Sequence, residues 1–133
     1  MEAVIDMILA ETNTVAVVGL SDRAERPSNA VARYMKERGY RIIPVNPRLS
    51  DVLGEKAYPS LSDIPGKVDL VDVFRKSGEV PALAEEAIRV GARFFWMQEG
   101  VVDEGAAKEA QAAGLLVVMD RCMKKCQQQL FRQ

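Results

Sequence analysis

The chain has 133 residues, 48% of them hydrophobic and 28% charged, which suits a single domain that buries its core without disulfides or metals. A formal net charge of −1 leaves no overall field to attract nucleic acid, so any anion site has to be local. The chain has no histidine, which removes histidine general bases, Ser-His-Asp triads and histidine metal ligands together, and its two cysteines alone make no zinc site.

The opening MEAVIDMILAETNT lacks the positive start and the cleavage pattern of a signal peptide. Its apolar stretch is broken by Glu2, Asp6 and Glu11, and no later stretch approaches a membrane span, so a cytoplasmic chain without membrane contact is expected. Val4, Ile5, Ile8 and Leu9 fall at helical spacing and predict a short amphipathic helix. Thr14 to Val18 reads as a strand buried on both faces, broken by Gly19. A helix is expected from about Ser28, with Val31, Tyr34 and Met35 on one face and Gly39 at its C-terminal cap. Arg41 to Val45 is a second strand, which Pro44 predicts to be short or irregular.

Asn46-Pro47-Arg48 makes a turn, and Leu49 to Gly66 reads as a long connection with a short helix around Leu61 to Ile64. A third strand follows at Val68 to Phe74 and a helix at about Val80 to Val90. Arg93 to Met97 is a fourth strand, and Asp103 to Ala113 an alanine-rich helix that needs a close neighbour. Leu115 to Met119 is a fifth strand, and Asp120 to Phe131 a last helix. Strands alternating with helices predict one α/β domain over residues 1–133, with a five-stranded, mainly parallel sheet in the order 3-2-1-4-5 and helices on both faces.

Every candidate for chemistry falls just past a strand's C-terminal end, the edge where open α/β sheets bind ligands. After the first strand, Gly19 lets the backbone approach a ligand, Ser21 offers a hydroxyl, and Arg23 and Arg26 offer charge. Ser28 is placed to cap a helix whose first N–H groups face an anion. The plainer alternative is a capping serine with solvated arginines. The dinucleotide fingerprint G-x-G-x-x-G is not met, because Ser21 and Ala24 occupy the second and third glycine positions.

The end of the second strand separates ligands. Val45-Asn46-Pro47-Arg48 lacks the carboxylate that accepts from an NAD ribose, and Arg48 suits a phosphate. Coenzyme A and NADP, whose ribose carries a phosphate, therefore remain. Beyond the third strand, Phe74 either flanks an adenine or packs in the core, and Arg75 or Lys76 either reaches phosphate or is solvated. Gln98, Glu99 and Gly100 lie at the crevice centre, where Glu99 has no second titratable partner nearby in sequence. Cys122 stands after the last strand end near Arg121, either as a redox-active thiol or, with Cys126, as a small partly buried residue.

Gly19-Leu20-Ser21, Val45-Asn46-Pro47, Val71-Asp72-Val73-Phe74-Arg75, Gln98-Glu99-Gly100 and Asp120-Arg121-Cys122-Met123, in this order, resemble the small stand-alone CoA-binding proteins. These are similar to the N-terminal CoA-binding domain of the succinyl-CoA synthetase α subunit. The resemblance spans about Thr14 to Met123. It implies a Rossmann-like three-layer sandwich with CoA across the C-terminal strand edge. Gly19, Leu20, Ser21 and Asp22 would then face the pyrophosphate, and Arg48 the phosphates of the nucleotide end. Val73, Phe74 and Arg75 would line the adenine side, and Gln98 to Gly100 the pantetheine path.

Two departures stand out: Asn46-Pro47-Arg48 replaces the synthetase's glycine-rich turn and lysine, and this chain lacks the phosphorylated histidine and its domain. The expectation is therefore a non-catalytic carrier, sensor or regulatory module for CoA or acyl-CoA, without catalytic or metal-binding residues. A protein partner and a homo-oligomer are left open. The alternatives are an NADP-binding oxidoreductase-like protein and a redox sensor using Cys122.

Overall fold

The computed structural model describes residues 2–130. In chain order it contains α1 (Glu2–Glu11), β1 (Thr14–Val18), α2 (Pro27–Glu37), β2 (Arg41–Val45), a small hairpin of β3 (Asp51–Val52) and β4 (Glu55–Lys56), and a 3₁₀ turn at Leu61–Asp63. Then come β5 (Leu70–Val73), a 3₁₀ turn at Ser77–Glu79, α3 (Val80–Arg89), β6 (Phe94–Met97), α4 (Glu104–Ala112), β7 (Leu116–Val118) and α5 (Met123–Leu130). The expected last helix starts later than Asp120, and its predicted end at Phe131 lies outside the described residues.

The main sheet is wholly parallel, in the order β2-β1-β5-β6-β7. The expected 3-2-1-4-5 pattern holds when the outer position beside β2 is assigned to the parallel bridge between Val45 and Tyr58. The residues in that outer position differ from the reading by chain order, because Leu70–Val73 pairs directly with β1 rather than lying outside β2. The segment from Leu49 to Gly66 pairs with β2 through that bridge. It also contains an unforeseen hairpin, whose turn puts Leu53 and Gly54 at φ 55 and 76. Leu-Gly is a weak version of the Asn-Gly signal for such turns.

Pro44 does not shorten β2, which runs regularly for five residues. The Pro44 carbonyl accepts from the Tyr58 amide on the outer side, so the missing proline N–H also points away from β1, where no ladder bond is lost.

Residue alternation along each strand divides the interior into two cores. Val15, Val17, Phe94, Trp96 and Val118 face α1, α2 and α5, while Ala16, Val18, Val71, Val73, Phe95, Met97 and Val117 face α3 and α4. Strands covered on both faces need no polar positions, which is why β6 reads Phe-Phe-Trp-Met with every residue buried. On the second face, Ala84 and Ala87 of α3 lie in the same core as Ala106, Ala107 and Ala110 of α4, and their small side chains permit close helix approach. All of the strands' C-terminal ends therefore open onto one edge, flanked by α2 and α5 on one face and α3 on the other.

Candidate functional site

The site is built around Gly19. Its amide donates to the Val45 carbonyl at 2.9 Å, while the Phe74 amide donates to the Val18 carbonyl at 2.9 Å. These bonds draw the ends of β1, β2 and β5 together. Gly19 adopts φ +88, and a Cβ placed there would lie 2.3 Å from the Phe74 carbonyl oxygen. Only a residue without a side chain lets the chain turn so close to the end of β5.

Beyond Gly19, Leu20 is buried and its carbonyl accepts from Asn46 Nδ2 at 3.1 Å. Ser28 Oγ accepts from the Ser21 amide at 3.0 Å, and Asn29 Nδ2 donates to the Ser21 carbonyl at 2.9 Å. The expected capping role of Ser28 is thus corrected. Arg26 is the N-cap without a side-chain cap bond, Pro27 opens the helix, and the Ser28 hydroxyl fastens the preceding loop. Pro27 has no N–H, and the Asn29 amide turns back to the Arg26 carbonyl, which leaves the Ser28 amide without a carbonyl partner among the described residues. This is the polarity that favours an anion.

A cavity of about 770 Å³ lies against this loop. One side is formed by Gly19, Ser21, Arg23, Arg26, Pro27, Ser28 and Val31; the other by Phe74, Arg75, Lys76 and Glu79, with Gln98, Glu99, Val101 and Cys122 completing the wall. Four cations face two carboxylates here. Arg23 pairs with Glu25 at 2.9 Å and Glu99 with Lys125 at 3.2 Å, but Arg26, Arg75 and Lys76 form no ion pair among the described residues. A volume in the range of small-molecule sites, apolar surfaces at Val31, Phe74 and Val101, and uncommitted cations suit an elongated ligand carrying phosphate.

Behind this wall sits a group that the sequence reading left without a role. Asp72, in the middle of β5, is 1% exposed, and its Oδ1 accepts from Gln98 Nε2 at 2.6 Å. Gln98 Oε1 in turn accepts from the Met123 amide at 3.4 Å, linking β5 to the start of α5. Asp72 Oδ2 is the buried side-chain atom without a partner among the described residues. Burial pushes the carboxyl up to about 7, opposed in part by the Gln98 hydrogen bond. The available signal was a single carboxylate within an otherwise continuous apolar strand.

Of the residues singled out from the sequence, Gly19, Ser21, Arg26, Ser28, Phe74, Arg75, Gln98 and Glu99 meet in the cavity wall. Leu20 lies beneath the loop and Val73 in the core against α3 and α4, both fully buried. Asp22 is exposed outside the wall, and the Gly100 amide is tied to Asp120 Oδ1 at 2.7 Å. Asn46, Pro47 and Arg48 stand outside the wall. There Asn46 Oδ1 accepts from the Arg48 amide at 2.9 Å, closing a turn, and the Arg48 side chain is exposed. Phe74 packs against the α2–α5 core, as one of its two readings expected, and also lines the cavity. Cys122 is half-buried in the wall, whereas Cys126 is buried in the core.

A parallel sheet with helices on both faces, whose first strand ends in a glycine turn, defines a Rossmann-like α/β domain. Within that class, the chain belongs to the CoA binding domain family, whose model matches residues 13–128. It is 46% identical over 123 residues to the uncharacterized protein YneT of Bacillus subtilis, covering 92% of this chain and 91% of that one. A hypothetical protein from Pyrococcus horikoshii superposes with a TM-score of 0.95 at 40% identity, over 98% of this chain and 92% of that one. The chain is also 33% identical over 82 residues to an ADP-forming acetate–CoA ligase II of Archaeoglobus fulgidus, over 60% of this chain but only 12% of that much longer protein.

Two measurements check this geometry. Gly19→Ala should lower stability by at least ~2 kcal/mol, from backbone strain and the clash with Phe74. The readout is a reduced urea midpoint at unchanged slope, and a loss below about 0.5 kcal/mol would contradict the close approach. Between Asp72's ordinary value of 3.8 and about 7, the folded chain holds a proton that the unfolded chain has released. The stability this proton contributes is complete below the lower value and is lost as pH rises through the upper one. Asp72→Asn should therefore flatten the fall in stability across that window and stabilise the protein at pH 8, with a ceiling on the order of 4 kcal/mol. Parallel pH profiles for the two proteins would contradict the assignment.

Proposed function

We propose that this chain binds coenzyme A or an acyl-CoA through its nucleotide phosphates, as a non-catalytic carrier, sensor or regulatory module. The carrying observation is the cavity formed by the Gly19 turn and the start of α2, with Arg26, Arg75 and Lys76 in its wall and without an ion pair among the described residues. Family membership supports the choice of ligand. The Gly19–Ser21 turn and the Ser28 amide would hold the pyrophosphate, Phe74 would pack against the adenine, and the cations would neutralise the phosphates. The close approach at Gly19 fits such a ligand, because it keeps side-chain bulk away from the phosphate cradle. Bound CoA would supply a thiol or thioester at the end of a flexible arm.

The non-catalytic reading is supported by the wall's chemistry. Glu99 is exposed and paired with Lys125, Gln98 is committed at both ends, and no histidine is available as a base. Arg75 is better placed than Arg48 to read a ribose phosphate, since it belongs to the wall and Arg48 does not.

Thermal unfolding with CoA, acetyl-CoA and NADP tests the proposal. CoA at ~100 times its Kd should add roughly 2.7 kcal/mol of stability. Stabilisation by NADP, with none by millimolar CoA, would replace this reading with the oxidoreductase-like one. Arg75→Glu should weaken CoA at least ~10-fold, as expected for loss of a charge-assisted hydrogen bond, and should cost dephospho-CoA less. Arg48→Glu should have the smaller effect; the reverse ranking would return the phosphate-reading role to Arg48.

A further inference from the structure

We propose that Cys122 is a covalent anchoring residue of this cavity, taking up the thiol end of its ligand by thiol–disulfide exchange. The inference rests on the CoA reading for the ligand's identity. The thiol's placement is an independent observation. Cys122 belongs to the same wall as the Gly19 turn and Ser28, although these residues follow β1 and Cys122 follows β7. In the sheet, β5 and β6 separate those two strands. A single cavity wall thus combines the Gly19 turn from one strand's loop with a cysteine from another's. A ligand with phosphates at one end and sulfur at the other uses both; NADP has no group for the second.

The thiol is also held in place. Trp96 Nε1 donates to the Arg121 carbonyl at 2.8 Å, and the Arg121 amide to the Met97 carbonyl at 3.3 Å. Gln98, braced by Asp72, receives the Met123 amide at 3.4 Å, and the Cys126 amide donates to the Cys122 carbonyl at 3.0 Å. The backbone on both sides of Cys122 is therefore fixed, with its side chain half-buried at the wall. Cys126, one helical turn on, is shut in the core, where burial pushes its thiol up and away from reaction. Of the two cysteines, Cys122 is the one the fold places in the cavity wall.

The reaction requires a CoA disulfide as co-reactant. Cys122 loses its proton to solvent, and the thiolate attacks one sulfur of that disulfide. The Cys122–CoA S–S bond forms as the original S–S bond breaks, and the second CoA leaves as a thiolate that takes up a proton. The disulfide is the oxidant, so no other electron acceptor is required. The product is a protein that records the oxidation state of the CoA pool by retaining its ligand covalently.

The test is intact-protein mass spectrometry after incubation of the full chain with CoA disulfide. The expected product is a single adduct of one CoA less one hydrogen, reversed by dithiothreitol, mapped to Cys122, absent in Cys122→Ser and kept in Cys126→Ser. Because the phosphates hold the disulfide near the thiol, labelling should be at least ~10-fold faster than with pantethine, which has the same arm without nucleotide. Thermal shifts with reduced CoA are measured in parallel. Stabilisation by CoA with no Cys122 adduct would overturn this inference and leave the CoA reading standing. Equal labelling by pantethine, with no stabilisation by CoA, would overturn both. An adduct on Cys126 instead of Cys122 would overturn the assigned thiol.

Discussion

The rest of the site depends on one close approach, that of the Gly19 backbone to the Phe74 carbonyl. With no side chain at Gly19, the ends of β1 and β5 can lie together while the Gly19 amide reaches across to β2. That convergence sets where α2 begins and brings the loop after β5, with Arg75 and Lys76, against the loop after β1. Ser21, Ser28 and Asn29 then lock the turn with their own polar groups. A dinucleotide fingerprint places three glycines in this loop; here one glycine and a serine–asparagine lock hold it.

Buried polar groups tie the opposite side of the cavity together. Asp72 is buried and keeps an oxygen without a partner among the described residues, an arrangement that favours its neutral form. Its hydrogen bond orients Gln98, which reaches the first amide of α5 and so fixes the start of the helix that Cys122 immediately precedes. The two sides of the cavity are thus positioned by different means: a steric constraint beside Phe74 and a hydrogen-bond chain beside Cys122.

Much of the fold was legible because its signals are local. Apolar runs bounded by glycine and polar turns located all five strands of the main sheet, and both-face burial explains why those runs are continuous. The alanines of α4 announced a close neighbour, which is α3. Pro44 misled because its effect depends on which side of the strand its nitrogen faces, a fact set by the partner strand. The Asp51–Lys56 hairpin escaped because Leu53 adopts a positive φ that its residue type does not advertise. In the site, the loops were legible as strand-end loops, but Arg48 and Arg75 were indistinguishable as surface cations.

The sequence by itself determined an alternating parallel sheet and a glycine turn after its first strand, because these follow from residue type and spacing. Tertiary structure alone decided which cations face the cavity, that Ser28 locks the loop instead of capping the helix, and that Asp72 stands behind Gln98. It also decided which of two cysteines meets the same cavity as the Gly19 turn. Those outcomes depend on strand order and on side chains brought together from distant segments, and no local pattern encodes such distances.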